Sequence, residues 1–303
     1  MNSDVGIFSP VYQETVAIVL SILFASGAIV FSLRKKNYYF VTAWASIRTW
    51  LFVAPILLFL FGLPAPWPFV ILTLLALFGA KVFFQLIGMY DRSYFVLICY
   101  AGIIALGFAS YYDRGDLFND TPMIVLGFCL LVPIIRNSYK QMIQYISLTL
   151  LAFVFLGWSF MHLGLILNLP SGIYQGMYLI ILLEFCDNTN LAIGRYFRGP
   201  KLFNRINPRR SLWGTLVSVV LTLALAHAMR TLLPDQSEKY WLASGLVASL
   251  GGMFGDLVMT IVRKDAGVKV VGPFVLGRGD YLQRMDRLIF VAPIYYYVMR
   301  LLH

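Results

Sequence analysis

Apolar residues run along this chain in continuous blocks, broken by short polar segments rich in arginine, lysine and aspartate. Most blocks are long enough to cross a bilayer core of about 30 Å at about 1.5 Å per residue. Backbone polar groups in lipid must pair internally, which leaves helices or closed barrels. Barrel strands would alternate over about ten residues, and these runs do not alternate. The pattern predicts an all-α, polytopic transmembrane bundle of about ten spans, at 14–33, 49–63, 68–89, 94–110, 121–135, 143–167, 174–192, 212–233, 241–262 and 286–302.

Composition supports the same class. Of 303 residues, 60% are hydrophobic and 13% are charged, with a mean hydropathy of +0.78. Soluble domains carry about 25% charged residues to solvate their surfaces. The first run has Asp4 and Glu14 before it and Arg34-Lys35-Lys36 after it. That is the reverse of a cleavable signal's charge order, so it is expected to stay as an extra N-terminal span. Cys99, Cys129 and Cys186 lie in or at the end of apolar runs without paired spacing, which suggests neither a disulfide frame nor zinc. His162, His227 and His303 are scattered and are expected to be packed or interfacial.

Charge predicts orientation. With the N-terminus outside, inner loops collect nineteen of the 24 Lys and Arg. The positive-inside rule therefore predicts an N-out, C-out topology. Twelve of the nineteen fall in two late segments, which also hold Asp187, Asp256, Asp265, Asp280 and Asp286. Anionic headgroups attract basic residues but do not account for interleaved carboxylates. Mixed acid and base at a lipid surface suits a phosphorylated ligand bound with a divalent cation.

The first segment contains Glu184, Asp187-Asn188, Gly194-Arg195, Lys201-Leu202 and Ile206-Asn207-Pro208-Arg209-Arg210-Ser211. Asn207-Pro208 reads as a turn, with Arg209-Arg210-Ser211 opening the eighth span, where a helix N-terminus and guanidinium groups suit phosphate oxygens. A basic loop that only fixes topology is the bland alternative. The second segment contains Gly255-Asp256-Leu257, Arg263-Lys264-Asp265, Gly267-Val268-Lys269, Gly277-Arg278-Gly279-Asp280 and Arg284-Met285-Asp286-Arg287. Asp256 is expected about two turns inside the ninth span, where an unpaired carboxylate is costly. Asp286 opens the tenth, where it could simply cap the helix.

These strings resemble the phosphatidate cytidylyltransferase (CDP-diacylglycerol synthase) family. The resemblance rests on Gly255, Asp256, Leu257, Gly267, Val268, Lys269, Gly272, Gly277, Gly279, Leu282, Arg284, Asp286, Ala292 and Pro293 at unbroken spacing. Upstream it continues through Asp187, Gly194, Arg195, Lys201, Leu202, Ile206, Pro208 and Gly214, with Arg209, Arg210 and Ser211 where the family has Lys-Lys-Thr. It is strongest over 187–297, so the chain divides into an extra span and basic loop (1–47), an N-terminal membrane bundle (48–186) and a catalytic membrane region (187–303). Departures mark a divergent member: Val270, Gln283 and Met259 stand where the family has acids, Arg278 replaces His, Leu276 replaces Pro, and Arg287 replaces Ser. Asp280, where the family has Gly, could supply the carboxylate lost at Gln283.

The resemblance implies a nucleotidyltransferase that makes CDP-diacylglycerol and pyrophosphate from CTP and phosphatidate. It implies Mg²⁺ on Asp256, Asp286 and Asp280, with a monovalent cation as a further candidate. Asp187, Asn188, Arg195, Lys201, Arg209, Arg210, Ser211 and Lys264 would meet the phosphates. Lys269 and Arg284 would act beside the acids, and the split between phosphate contact and carboxylate partner stays open for Arg195, Lys201, Lys264, Lys269 and Arg284. The expected setting is a bacterial cytoplasmic membrane with the site facing the cytoplasm, membrane lipids as partners, a homodimer as a candidate assembly and no nucleic acid. A CTP-dependent lipid kinase of the dolichol or phytol type is the alternative enzyme, and a transporter the alternative non-enzyme.

Overall fold

A computed structural model describes residues 6–34, 38–196, 199–233, 238–265, 275–276 and 279–302; within these, the side chains of 38–43, 45, 46, 49, 195, 196, 209, 275, 276 and 279–286 are not described. The described chain is overwhelmingly helical. Its helices are α1 (Pro10–Leu33), α2 (Tyr38–Gly62), α3 (Trp67–Leu86), α4 (Ser93–Tyr111), α5 (Gly115–Ile135), α6 (Met142–Ala152), α7 (Phe160–Asn168), α8 (Gly172–Tyr196), α9 (Leu212–Ala228), α10 (Glu238–Leu246), α11 (Gly252–Asp265) and α12 (Tyr281–Leu302). A π-helical stretch, Phe153–Ser159, joins α6 to α7, and another, Val247–Gly251, joins α10 to α11. Each pair is one continuous rod.

Six rods are long and apolar enough to cross a membrane, namely α1, α3, α4, α5, α6–α7 and α10–α11. Large apolar side chains such as Phe52, Leu74, Leu97, Phe108 and Ile143 point outward, as lipid-facing residues do and a water-facing surface would not. The protein is an integral membrane protein of polytopic helical type. Several helices start earlier than their apolar runs suggest; α12 begins at Tyr281, so Asp286 lies inside that helix and does not open or cap it. α2 includes Arg48 and begins at Tyr38, and α5 begins at Gly115 with Asp116 in its first turn, where the helix dipole favours an acid.

The core gathers around α7, α8 and α12, with Met161, Ile166, Tyr178, Leu179, Val291, Tyr295 and Met299 fully or almost fully buried. His162 is enclosed by Phe118, Trp158, Tyr296 and Tyr297, and its Nδ1 donates to the Trp158 carbonyl at 2.8 Å. His227 packs edge-on against Trp241, and His303 lies outside the described residues. Along α9, Thr215, Ser218 and Thr222 bond back to carbonyls three or four residues earlier and form a buried polar seam against Asn190 of α8. Small and hydroxyl residues of this kind let membrane helices approach closely.

Two small hairpins interrupt the helices. β1 (Lys201–Phe203) pairs antiparallel with β2 (Asn207–Ser211), Lys201 opposite Ser211 and Phe203 opposite Asn207. β3 (Val275–Leu276) pairs with β4 (Gly279–Asp280). The first corrects an expectation. Asn207-Pro208 is not the turn but the start of β2; the chain reverses over residues 204–206, where the Ile206 N–H donates to the Phe203 carbonyl at 3.2 Å. Pro208 fits there because the register is irregular between the two pairs, so its missing N–H breaks no regular ladder.

Candidate functional site

Glycine sets the distances between the rods that carry the acids. A Cβ on Gly252 would come within 2.5 Å of Leu183 Cδ1, and one on Gly251 within 3.1 Å of Val291 Cγ2. At these two glycines the α10–α11 rod lies directly against α8 and α12. One helical turn onward from these contacts lie Asp256 on α11 and Asp187 on α8, and one turn before Val291 lies Arg287 on α12. The crossing therefore delivers two acids and a base to one place. A second close approach, where a Cβ on Gly214 of α9 would come within 2.9 Å of Gly194 Cα on α8, sets the hairpin beside them. Ser211 caps α9 there, accepting the Gly214 N–H at 3.0 Å.

The charged groups form a continuous chain. Arg210 reaches inward from β2, its Nε donating to Asp256 Oδ2 at 2.8 Å and its Nη2 to Asp187 Oδ1 at 3.3 Å. The other Asp187 oxygen takes Arg287 Nη2 at 3.2 Å, and Arg287 Nη1 reaches Glu184 Oε1 at 3.4 Å. Trp50 Nε1, at the midpoint of α2, donates to Glu184 Oε2 at 3.0 Å. Asn207 Nδ2 joins Arg210 on Asp256 Oδ2 at 3.0 Å. The arginine side chains are 7% and 11% exposed and the three acids 16% each. Removing water at this depth is costly for ions, and mutual pairing with additional hydrogen bonds offsets that cost.

Three carboxylates face two guanidinium groups, so the described cluster carries one formal negative charge in excess. Both Asp187 oxygens are engaged. Asp256 differs: its Oδ1 has no partner among the described residues. A hard carboxylate oxygen in a cluster with excess negative charge fits Mg²⁺, which usually takes one or two carboxylates plus water and substrate phosphates. Among the described residues no three metal-ligating side chains gather. Asp256 is the described residue that fits such an ion.

The remaining expected site residues are placed less centrally. Asn188 Nδ2 donates to the Glu184 carbonyl, and Lys264 Nζ donates to the Arg205 carbonyl in the hairpin turn at 3.0 Å. Lys201 is exposed on β1. The expectation that Arg209-Arg210-Ser211 opens a helix is corrected: Arg209 and Arg210 lie on β2, and only Ser211 touches the helix, as its cap. Strand geometry is what turns Arg210 towards the acids. The side chains of Arg195, Arg209, Asp280, Arg284 and Asp286 lie outside the described residues, although their backbones fall in α8, β2, β4 and α12. Lys269 lies outside them altogether.

Trp50, Glu184, Asn207 and Arg287 join the cluster without having been picked out as site residues. Glu184 had a signal, being a mid-helix acid three residues from Asp187 on the same face of α8. Nothing in the sequence pointed to Trp50.

Comparison with known proteins covers the same elements. The sequence model of the cytidylyltransferase family matches residues 44–302, from within α2 to the end of α12. The chain belongs to that family. The match starts beyond α1. Among curated relatives, a phosphatidate cytidylyltransferase of Synechocystis sp. is 30% identical over 147 residues, 45% of this chain and 46% of that protein. A phosphatidate cytidylyltransferase of Staphylococcus aureus is 27% identical over 173 residues, 56% of this chain and 64% of that protein. The uncharacterized protein YnbB of Escherichia coli is 29% identical over 157 residues, 48% of this chain and 53% of that protein. The chain thus spans about half to two thirds of the length of these relatives.

Proposed function

We propose that this protein transfers a cytidylyl group from CTP to the phosphate of membrane phosphatidate, giving CDP-diacylglycerol and pyrophosphate. A phosphate oxygen of the lipid attacks the α-phosphorus, a new P–O bond forms, and the α–β bridging bond breaks as pyrophosphate leaves. Transfers of this kind need positioning and charge neutralisation more than a covalent protein group. The buried Asp187–Arg210–Asp256 chain, within the stretch shared with the family, is the observation that carries this reading.

Each residue has a distinct task. Arg210 has Nε and Nη2 fixed on carboxylates, while Nη1 has no partner among the described residues and is the atom presented to a phosphate oxygen. Arg209 and Lys264, on and beside the β1–β2 hairpin, add positive charge where the triphosphate would lie. Ser211 fixes the start of α9 and thereby the base of the hairpin. Asp256 would hold Mg²⁺, with Asp286 and Asp280 as further ligands, and the bound ion would neutralise charge developing on the transferring phosphorus and the leaving pyrophosphate. The lipid phosphate is ionised near neutral pH, so no histidine base is required, in keeping with His162 being packed among aromatic rings away from the cluster.

The proposal includes ten membrane crossings with both ends outside, which sets the cluster and the β1–β2 hairpin on the cytoplasmic side of a bacterial inner membrane, where CTP is available. The acyl chains stay in the bilayer while the headgroup enters from the side. Purified protein supplied with radiolabelled CTP, Mg²⁺ and phosphatidate should yield label in the chloroform phase, and other phospholipid acceptors should not. No lipid-soluble label with any acceptor would defeat the proposal.

A further inference from the structure

Arg287 lies on the second turn of α12 and brings a full positive charge against acids on α8. The structure gives that charge a definite place. Arg287 is 9% exposed, with one guanidinium nitrogen 3.2 Å from Asp187 and another 3.4 Å from Glu184. Arg210 takes the remaining Asp187 oxygen. Asp187 is thereby held on both oxygens by side chains, while Asp256 keeps Oδ1 without a described partner.

We infer that Arg287 is a positioning residue and resident cation of the site: it holds Asp187 and Glu184 in place and, together with Arg210, balances their charge without a bound ion, so that a divalent cation loads with the nucleotide at Asp256 and no second one loads at Asp187. The inference rests on the cytidylyl-transfer reading. A guanidinium is suited to the task because it stays charged at every accessible pH and its planar fork can serve two carboxylates together. Its position on the first turns of α12 also matters. By tying α12 to α8, Arg287 holds Asp187 in line with Arg210, and Arg210 in line with Asp256.

The test counts ions and needs no turnover. Purified full-length protein in detergent is dialysed against Mn²⁺ and radiolabelled CTP without lipid acceptor, and bound metal and bound nucleotide are measured in the same sample. A single Mn²⁺ per bound CTP is expected for the unaltered protein and for Arg287→Lys, and a doubled ratio for Arg287→Ser. A doubled ratio in the unaltered protein overturns the inference and leaves the proposed function standing. An unchanged ratio in soluble, monodisperse Arg287→Ser also overturns it. If Arg287→Ser aggregates, Arg287→Gln, which keeps a long side chain with an amide donor for the acids but no charge, takes its place under the same criterion. Failure of CTP to bind overturns the cytidylyl-transfer reading, and the inference with it.

Discussion

Arg210 Nε lies 2.8 Å from Asp256 Oδ2, joining residues 46 positions apart, and the same guanidinium reaches Asp187 at 3.3 Å. A strand residue thus bridges an acid on α8 to an acid on α11. Removing it leaves two half-buried carboxylates without their shared partner. Arg210→Ala should lower stability by about 3–5 kcal/mol, the usual cost of breaking a buried pair from one side, and should abolish CTP-dependent lipid product. Arg210→Lys should recover more stability than activity, since an ammonium cannot span two acids in one plane. Thermal unfolding in detergent together with the lipid assay separates the two effects; equal recovery of both by lysine would argue against a phosphate role for Arg210.

Asp256→Asn should abolish product formation while leaving a folded protein. Its amide can still accept from Arg210 and Asn207, which now hold Oδ2 at 2.8 and 3.0 Å, whereas the Oδ1 charge suited to Mg²⁺ is gone. Loss of activity together with loss of folding would favour a purely structural acid.

The close contact at Gly252 predicts coupling with Leu183. Gly252→Ala places a methyl about 2.5 Å from Leu183 Cδ1 and should cost about 1–3 kcal/mol through overpacking. It should also reduce activity by pushing α11, and Asp256 with it, away from α8. Leu183→Ala in the same protein opens the space and should return part of both losses. Additive effects of the two changes would show that the helices are not in register as described.

Orientation is open to chemical labelling. Arg205→Cys and Lys269→Cys should resist a membrane-impermeant maleimide in intact cells and react after permeabilisation. The native Cys99, Cys129 and Cys186 are buried and should stay silent. Efficient labelling from outside would reverse the proposed topology.

Asp280 offers a test of the altered acid pattern. If it supplies the carboxylate that Gln283 lacks, Asp280→Gly should slow Mg²⁺-dependent turnover by orders of magnitude, at about 1.36 kcal/mol per tenfold. Adding Gln283→Asp should recover part of the rate. A near-normal Mg²⁺ titration in Asp280→Gly would instead mark Asp280 as a turn residue or an exposed partner of Arg278 or Arg284, a contact worth about 0–1 kcal/mol.

The apolar runs, by themselves, determined that this chain is a bundle of membrane helices, because lipid leaves a continuous apolar segment no other way to satisfy its backbone. The interleaved acids and bases of 187–211 and 255–287 likewise singled out segments whose charges the fold brings together at Asp187, Arg210, Asp256 and Arg287. Local sequence was less decisive where two backbone solutions compete: Asn207-Pro208 carries turn residues, yet it begins a strand because the reversal is completed in the three residues before it. The pairing of charges was decided by tertiary structure alone. Trp50, Glu184, Arg210, Asp256 and Arg287 come from five different elements, and which acid meets which base follows from how closely α8, α11 and α12 cross. That closeness comes from missing side chains at Gly251 and Gly252. A glycine in an apolar run is silent in the sequence until its neighbour across the helix crossing is known.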